Sequence, residues 1–270
     1  MPDLDADLTL AGALADKARA AASGLFRSGL AADDKAGRDG AGRGDYDPVT
    51  EADRRIEAAI VAALAEARPD DGILGEEGAE RASKSGRTWV IDPIDGTRAF
   101  IAGLPTWCVL IALCDADGPA LSVIDQPFTS ERFYGADRAG LRGAWLARDG
   151  VRDPIRAGGV RRIDEAILST TDPDLFQDAE RAAFERVKDA ARLTRYGLDA
   201  YAYAALALGG VHLVVESGLK PWDVCALAPV VRGAGGVISA WDGGAMREGG
   251  RVVAAATPDL HDAARALLNA

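Results

Sequence analysis

The sequence predicts an α/β protein, and three observations carry that reading. Apolar runs of strand length, "TWVID" and "WCVLIALCD", contain β-branched residues and no polar alternation, so they belong to strands buried on both faces. Stretches with helical spacing alternate with such runs, above all in the second half of the chain. Hydrophobic residues make up 48% of the 270, ample for a globular core, and no repeat of solenoid length interrupts them.

The elements follow in order. Residues 4–27 form an opening helix rich in Ala and Leu. Residues 33–47, dense in glycine and charge, form a loop. Thr50 caps a second helix, with Asp53 three residues later as an acidic stand-in for the capping box, and Ile56, Ile60 and Leu64 mark its buried face. A short strand ends at Gly75. "TWVID", "WCVLIALCD", "ALSVIDQP" and "RFYGA" are strands. Residues 150–165 are polar and turn-rich, and a join is expected there between residues 1–150, which carry most of the candidate site, and residues 151–270, which complete it. Beyond it come strand "AILST", a helix with Phe176, Ala183, Phe184 and Val187 on one face, helix "AYAYAALALGG" and strand "VHLVVE". Helix "WDVCALAPVVRGAGG" is expected to run up to its glycines, with Pro229 kinking it or sharpening its boundary, and strands "VISAWDG" and "RVVAAA" precede a closing helix.

Composition excludes several classes. With 31 basic against 42 acidic residues the formal charge is -11, which argues against a nucleic-acid partner. No apolar run reaches the roughly 18 residues of a membrane span. The N-terminal residues lack a basic segment followed by an apolar one, so a cytoplasmic protein is expected. Cys108, Cys114 and Cys225 form no C-x-x-C pair and read as free thiols. His212 alternates with apolar neighbours and suits a packed or edge position; His261 in the last helix is expected in solvent.

The chemistry concentrates in "WVIDPIDGTRAF". Asp92 and Asp95 stand three residues apart where a buried strand stops. Asp, Pro and Gly are common turn formers, so a simple turn is one reading. Crowded carboxylates, however, repel or take up protons unless a cation lies between them. "GEEG" sets Glu76 at another strand tip, and "KPWDVCA" sets Asp223 near a helix start. Glu76, Asp92, Asp95 and Asp223, with the Thr97 hydroxyl and the Ile94 carbonyl, supply oxygens for two or three Mg²⁺ ions, with Mn²⁺ as a substitute. Backbone N–H groups at Gly96 and Thr97, if they open a helix, suit phosphate oxygens.

"GEEG", "DPIDGT" and "WDVCALAPVVRGAGG", in this order and spacing, resemble the inositol monophosphatase family of lithium-sensitive phosphatases over nearly the whole chain. The resemblance implies a five-layered αβαβα sandwich, magnesium, a homodimer, and hydrolysis of small phosphate monoesters. It implies that Glu76, Asp92 and the Ile94 carbonyl hold a first ion, that Asp92, Asp95 and Asp223 hold a second, and that a third uses Glu76 and water. It further implies that Thr97 pairs with Asp53 of "DPVTEAD" to activate the attacking water.

Within the family, "GTRAFIAGLPTW", "GLDAYAY" and "VVESGLKPWD" are similar to the histidinol-phosphatase branch. Asp199, Glu216 and Tyr201 are then the candidate substrate residues, because carboxylates beyond the metal set suit a cationic ester. Asp199 also reads as a helix N-cap. Departures from the branch are "GLDAY" where "GGDCY" is expected, and the long loop after Lys35. The other readings are an inositol or broad sugar-phosphate monophosphatase, a nucleoside bisphosphate phosphatase, and a non-catalytic domain that senses phosphorylated metabolites.

Overall fold

The structure is a computed structural model that describes residues 4–29, 32–34, 48–246 and 248–270. The Gly-rich stretch expected as a loop lies outside the described residues from residue 35 onward. The first half runs α1 (Leu4–Ala22), β1 (Ala32–Asp34), β2 (Pro48–Thr50), α2 (Glu51–Ala67), β3 (Gly72–Gly75), β4 (Glu80–Arg81), β5 (Thr88–Asp95) and α3 (Thr97–Ile101). An antiparallel run follows: β6 (Cys108–Asp115), β7 (Gly118–Gln126), β8 (Glu131–Arg138), β9 (Leu141–Arg148) and β10 (Val151–Pro154). The second half runs β11 (Ile167–Thr170), α4 (Asp178–Ala190), β12 (Leu193–Tyr196), α5 (Tyr201–Ala207), β13 (Leu213–Leu219), α6 (Pro221–Gly233), β14 (Val237–Ala240), β15 (Gly250–Ala255) and α7 (Pro258–Leu268).

Two large sheets organise these elements, while β1 and β2 pair with each other as a separate antiparallel ribbon. The larger has the order β10-β9-β8-β7-β6-β5-β3-β4 and the smaller β12-β11-β13-β15-β14. Helices α1 and α2 cover one face of the larger sheet, α5 and α6 fill the space between the sheets, and α4 and α7 cover the outer face of the smaller one. That is the five-layered αβαβα sandwich. The apolar runs are apolar throughout because each strand feeds two cores. On β6, Cys108, Leu110 and Ala112 face the middle layer while Val109, Ile111 and Leu113 face α1 and α2. On β15, Val252 and Ala254 point inward and Val253 and Ala255 outward.

Helix α6 fixes the spacing of the sandwich. A Cβ at Gly135 of β8 would lie 2.2 Å from the Val230 nitrogen, and one at Gly233 would lie 2.1 Å from the Gly143 carbonyl oxygen. Backbone therefore packs directly on backbone. Pro229 lies inside the helix, which continues for another turn and ends at Gly233, at the glycines where the sequence placed its end. Strands β1, β2, β4, β9, β10 and β12 add to the expected set; β1 takes Asp33 and Asp34 from the stretch expected as a loop, β10 falls in the stretch read as a join, and the break between the two large sheets lies between Pro154 and Ile167. No helix among the described residues is long and apolar enough to cross a membrane.

Candidate active site

The expected carboxylates meet because of an irregularity in β5. In a regular strand, residues three apart point to opposite faces. Asp92 pairs with Leu110 and Asp95 with Cys108, so three steps along β5 match two along β6. The extra residue is a β-bulge across Pro93 and Ile94, where a proline without an N–H is tolerated. Leu110 and Cys108 both face the middle layer. Asp92 and Asp95 therefore face it too, toward the start of α6.

Three further acids arrive from neighbouring elements. The Glu76 N–H donates to the Ile91 carbonyl at 3.1 Å, extending the β3–β5 ladder to the residue before Asp92. Asp223 is the third residue of α6, after Pro221 at the favoured first position, and its Oδ2 accepts the Lys220 N–H at 2.7 Å. Asp53 is the third residue of α2. Its Oδ2 accepts the Thr50 N–H at 2.8 Å and the Thr50 hydroxyl at 2.6 Å, while Thr50 Oγ1 accepts the Ala52 N–H, which completes the expected capping box. Two site carboxylates are thus aimed by the helix starts they close.

Ligand oxygens of Asp92, Asp95 and Asp223 lie within 4.8 Å of one another. Burial, then the charge of Glu76, pushes Asp92 well above the usual carboxylate range; burial, then Asp199, does the same to Asp95. Burial raises Asp223 to about 7, against the Lys220 N–H that lowers it. Burial also raises Asp53, opposed by its bonds to Thr50. Asp92 Oδ1 is buried with no hydrogen-bond donor. An orphaned carboxylate oxygen inside a cluster of like charge is the environment a divalent cation satisfies. The residues fit the metal expected from the sequence.

Beside the acids, the chain turns. Gly96 has φ 80°, a left-handed conformation that glycine adopts without strain, and starts the short helix α3 at Thr97. The Thr97 hydroxyl donates to the Ile94 carbonyl at 3.0 Å, so in this structure Thr97 and Asp53 bond to Ile94 and Thr50 rather than to each other.

Asp199 lies against the same turn. A Cβ on Gly96 would be 3.0 Å from Asp199 Cγ and Oδ2. It does not cap α5, whose N-cap is Ala200; it has φ 48° instead. Burial holds it at about 6, with Arg98 lowering it and Asp172 raising it. Glu216 is 3% exposed and faces inward: Oε1 accepts the Thr171 N–H at 2.8 Å and the Thr171 hydroxyl at 3.0 Å, and Oε2 accepts the Thr170 hydroxyl at 3.1 Å. Burial raises it to about 8. The Tyr201 hydroxyl donates to Glu131 Oε2 at 2.5 Å.

The remaining candidates fall outside the site. His212 Nδ1 accepts the Ile167 N–H at 3.0 Å, a packing role. His261 is buried at 5% exposure against Ser239, not in solvent, because α7 turns that face onto the smaller sheet. None of the three cysteines is in a disulfide. Sequence reading missed the Ala200 N–H, which donates to Asp95 Oδ2 at 2.6 Å, and Glu57, whose signal was a charge one turn after Asp53 on the buried face of α2.

A five-layered sandwich carrying a carboxylate cage beside a turn of N–H groups is the arrangement of a phosphatase. The chain matches the inositol monophosphatase family over residues 3–270, and it belongs to that family. It is 40% identical over 233 residues to the bifunctional phosphatase IMPL2 of Arabidopsis thaliana, an alignment covering 82% of this chain and 65% of that protein. It is 37% identical to the histidinol-phosphatase of Mycobacterium tuberculosis, covering 84% of this chain and 86% of that one. The solved inositol monophosphatase of Zymomonas mobilis superposes with a TM-score of 0.85 at 37% identity, covering 100% of both chains.

Proposed function

We propose that this chain hydrolyses histidinol phosphate to histidinol and phosphate, with Mg²⁺ held by Glu76, Asp92, the Ile94 carbonyl, Asp95 and Asp223. The position of Asp199 carries the choice of substrate. Its carboxylate packs on Gly96, beside the turn that would receive phosphate oxygens, and its charge reaches Asp95, although it is not one of the three acids whose ligand oxygens cluster. A negative group there opposes a phosphate dianion unless the ester brings its own cation. Histidinol phosphate does so, through its ammonium and imidazole. Arg98 is shared with Asp172, at 3.7 Å, so it offsets the wall only in part. Glu216 supports the wall from behind through Thr170 and Thr171. Tyr201 anchors the start of α5 through Glu131. The histidinol-phosphatase name of the mycobacterial relative points the same way.

When bound, divalent cations lower the pKa of water and neutralise charge on the entering and leaving oxygens. The chain supplies the rest. N–H groups at Gly96 and Thr97 orient the phosphate for in-line attack by water. Asp53, fixed by the Thr50 cap, and Glu76 stand as proton acceptors on the side of the cluster nearest α2. Thr97 aligns the attacking water together with Asp53. We take the attack as direct, by water and without a phosphoenzyme; neither histidine serves as a nucleophile, since both make packing contacts elsewhere. The same reading includes a homodimer, a cytoplasmic setting and inhibition by lithium.

Inositol phosphate is the second reading, favoured by the structural match to the Zymomonas mobilis enzyme. Phosphate release from both esters decides between them. Histidinol phosphate is expected to have at least roughly tenfold higher kcat/KM, and Asp199→Asn to narrow that gap by roughly tenfold, as loss of one charge-assisted contact predicts. Equal turnover of the two esters by the wild-type protein overturns the assignment.

A further inference from the structure

A buried carboxylate on α2 takes no part in the cage, yet it holds the turn that carries one of its ligands. Glu57 is 5% exposed and lies one turn beyond Asp53 on the same face. Its Oε2 accepts the Glu77 N–H at 2.9 Å and its Oε1 the Ala79 N–H at 3.0 Å. Both donors belong to the turn that follows β3, closed by the Gly75 N–H on the Ala79 carbonyl at 2.7 Å. The carboxylate sits so close that a Cβ on Gly75 would be 2.3 Å from Oε2 and 2.7 Å from Cδ. The "GEEG" glycine before Glu76 is thus small because Glu57 fills the space.

Two peptide groups flank the Cα of Glu76, and each is held. The one before it is fixed from the sheet side by the bond from the Glu76 N–H to the Ile91 carbonyl. The one after it is fixed from the helix side by the bond from the Glu77 N–H to Glu57. With both peptide planes set, the backbone torsions of Glu76 are set, and its side chain leaves toward Asp92. Burying a carboxylate costs free energy that two N–H donors offset only in part. Packing alone gives no reason for a glutamate in the row that holds Ile56, Ile60 and Leu64.

We propose that Glu57 is a positioning residue for metal binding: through the Glu77 and Ala79 N–H groups it holds Glu76 at the cage, and Gly75 is the glycine this clamp requires. The inference rests on the metal reading above, and the test separates the two. Mn²⁺ affinity is measured on the full chain by electron paramagnetic resonance of free Mn²⁺, without substrate, for wild type, Glu57→Gln, Glu57→Asp and Gly75→Ala. The amide of Gln turns an N–H toward one of the two donors, so Glu57→Gln is expected to weaken Mn²⁺ binding about tenfold, the usual cost of losing a group that orients a ligand. Glu57→Asp keeps both acceptor oxygens and is expected to recover part of the loss; Gly75→Ala is expected to weaken binding as Glu57→Gln does. Arg55→Gln, on the exposed face of α2, leaves it unchanged. A purely structural role would lower the melting temperature without moving the Mn²⁺ affinity of the folded fraction. Glu57→Gln with wild-type affinity overturns the proposal alone, and should it fail to fold, wild-type affinity in Glu57→Asp and Gly75→Ala does so. Absence of Mn²⁺ binding by the wild type overturns both this proposal and the metal reading.

Discussion

The Ala200 N–H donates to Asp95 Oδ2 at 2.6 Å, joining residues 105 apart in the chain. The end of β5 therefore takes its orientation from the start of α5, which belongs to the middle layer. That joint holds one oxygen of a carboxylate that belongs to the acidic cluster. The next residue, Tyr201, secures the joint to β8 through Glu131, which also accepts the Thr129 hydroxyl and a bond from Arg148.

Tyr201→Phe removes the clamp and nothing else of similar size. A hydrogen bond to a charged acceptor contributes about 1.5–3 kcal/mol. The melting temperature should fall by roughly 3–12 °C, and the Mg²⁺ concentration for half-maximal phosphate release should rise several-fold. Unchanged metal dependence would detach Tyr201 from the site.

Asp95→Asn should abolish phosphate release, by more than about 10²-fold, since even groups behind a ligand cost 10–100-fold. It should do so without unfolding the chain. Asp95 is held well above the usual range by burial and by Asp199, so neutralising it relieves repulsion in the metal-free protein. Calorimetry of the metal-free variant should show a melting temperature equal to or above that of the wild type.

Chelation should stop turnover and expose a pH dependence of stability. Asp223 sits at about 7 against an ordinary value of 3.8. A carboxylate raised on folding contributes its full stability below the unfolded value and loses it as pH rises through the folded one. The metal-free protein should therefore weaken between about pH 4 and pH 7. Saturating Mg²⁺ offsets the repulsion, adding about 2.7 kcal/mol at a hundred times its Kd. The gain in melting temperature on adding Mg²⁺ should be larger at pH 8 than at pH 5; a gain independent of pH counts against a cation at these acids.

Glu216→Gln tests the wall behind the substrate. Glu216 is raised from 4.5 to about 8 by burial, so its protonated form is the one the fold favours. Gln copies that form, accepting from Thr171 and donating to the Thr170 hydroxyl. With Mg²⁺ saturating throughout, the variant should gain on the order of 4 kcal/mol over wild type at pH 9 and nothing at pH 4. It should also narrow the preference for histidinol phosphate over inositol phosphate, read as the ratio of kcat/KM.

Much of this was legible in the sequence, for identifiable reasons. Strands such as "WCVLIALCD" announce two buried faces through their composition, and the cap at Thr50 and Asp53 is a local contact. The acidic set was legible as a set, because four carboxylates gathered at element ends repel one another unless a cation joins them. What the residues did not reveal was pairing. The antiparallel run from β5 to β10 depends on register between strands, and β9, with a glycine and two arginines, and β10, with two charges and a proline in four residues, do not stand out. The Ala200 N–H and the approach of Gly135 to Val230 are backbone contacts, which no side chain signals. His261 was misplaced because a single histidine on an amphipathic helix does not say which face is covered.

A strand with its acids two positions apart would have presented both carboxylates without distortion. The bulge at Pro93 and Ile94 does something more: it leaves Ile94 without a partner on β6, so its carbonyl turns toward the Thr97 end of the site. A main-chain oxygen survives every side-chain replacement at its position. Lineages drifting in sequence can trade the neighbouring side chains one at a time, but this oxygen leaves only if the chain is shortened or lengthened there.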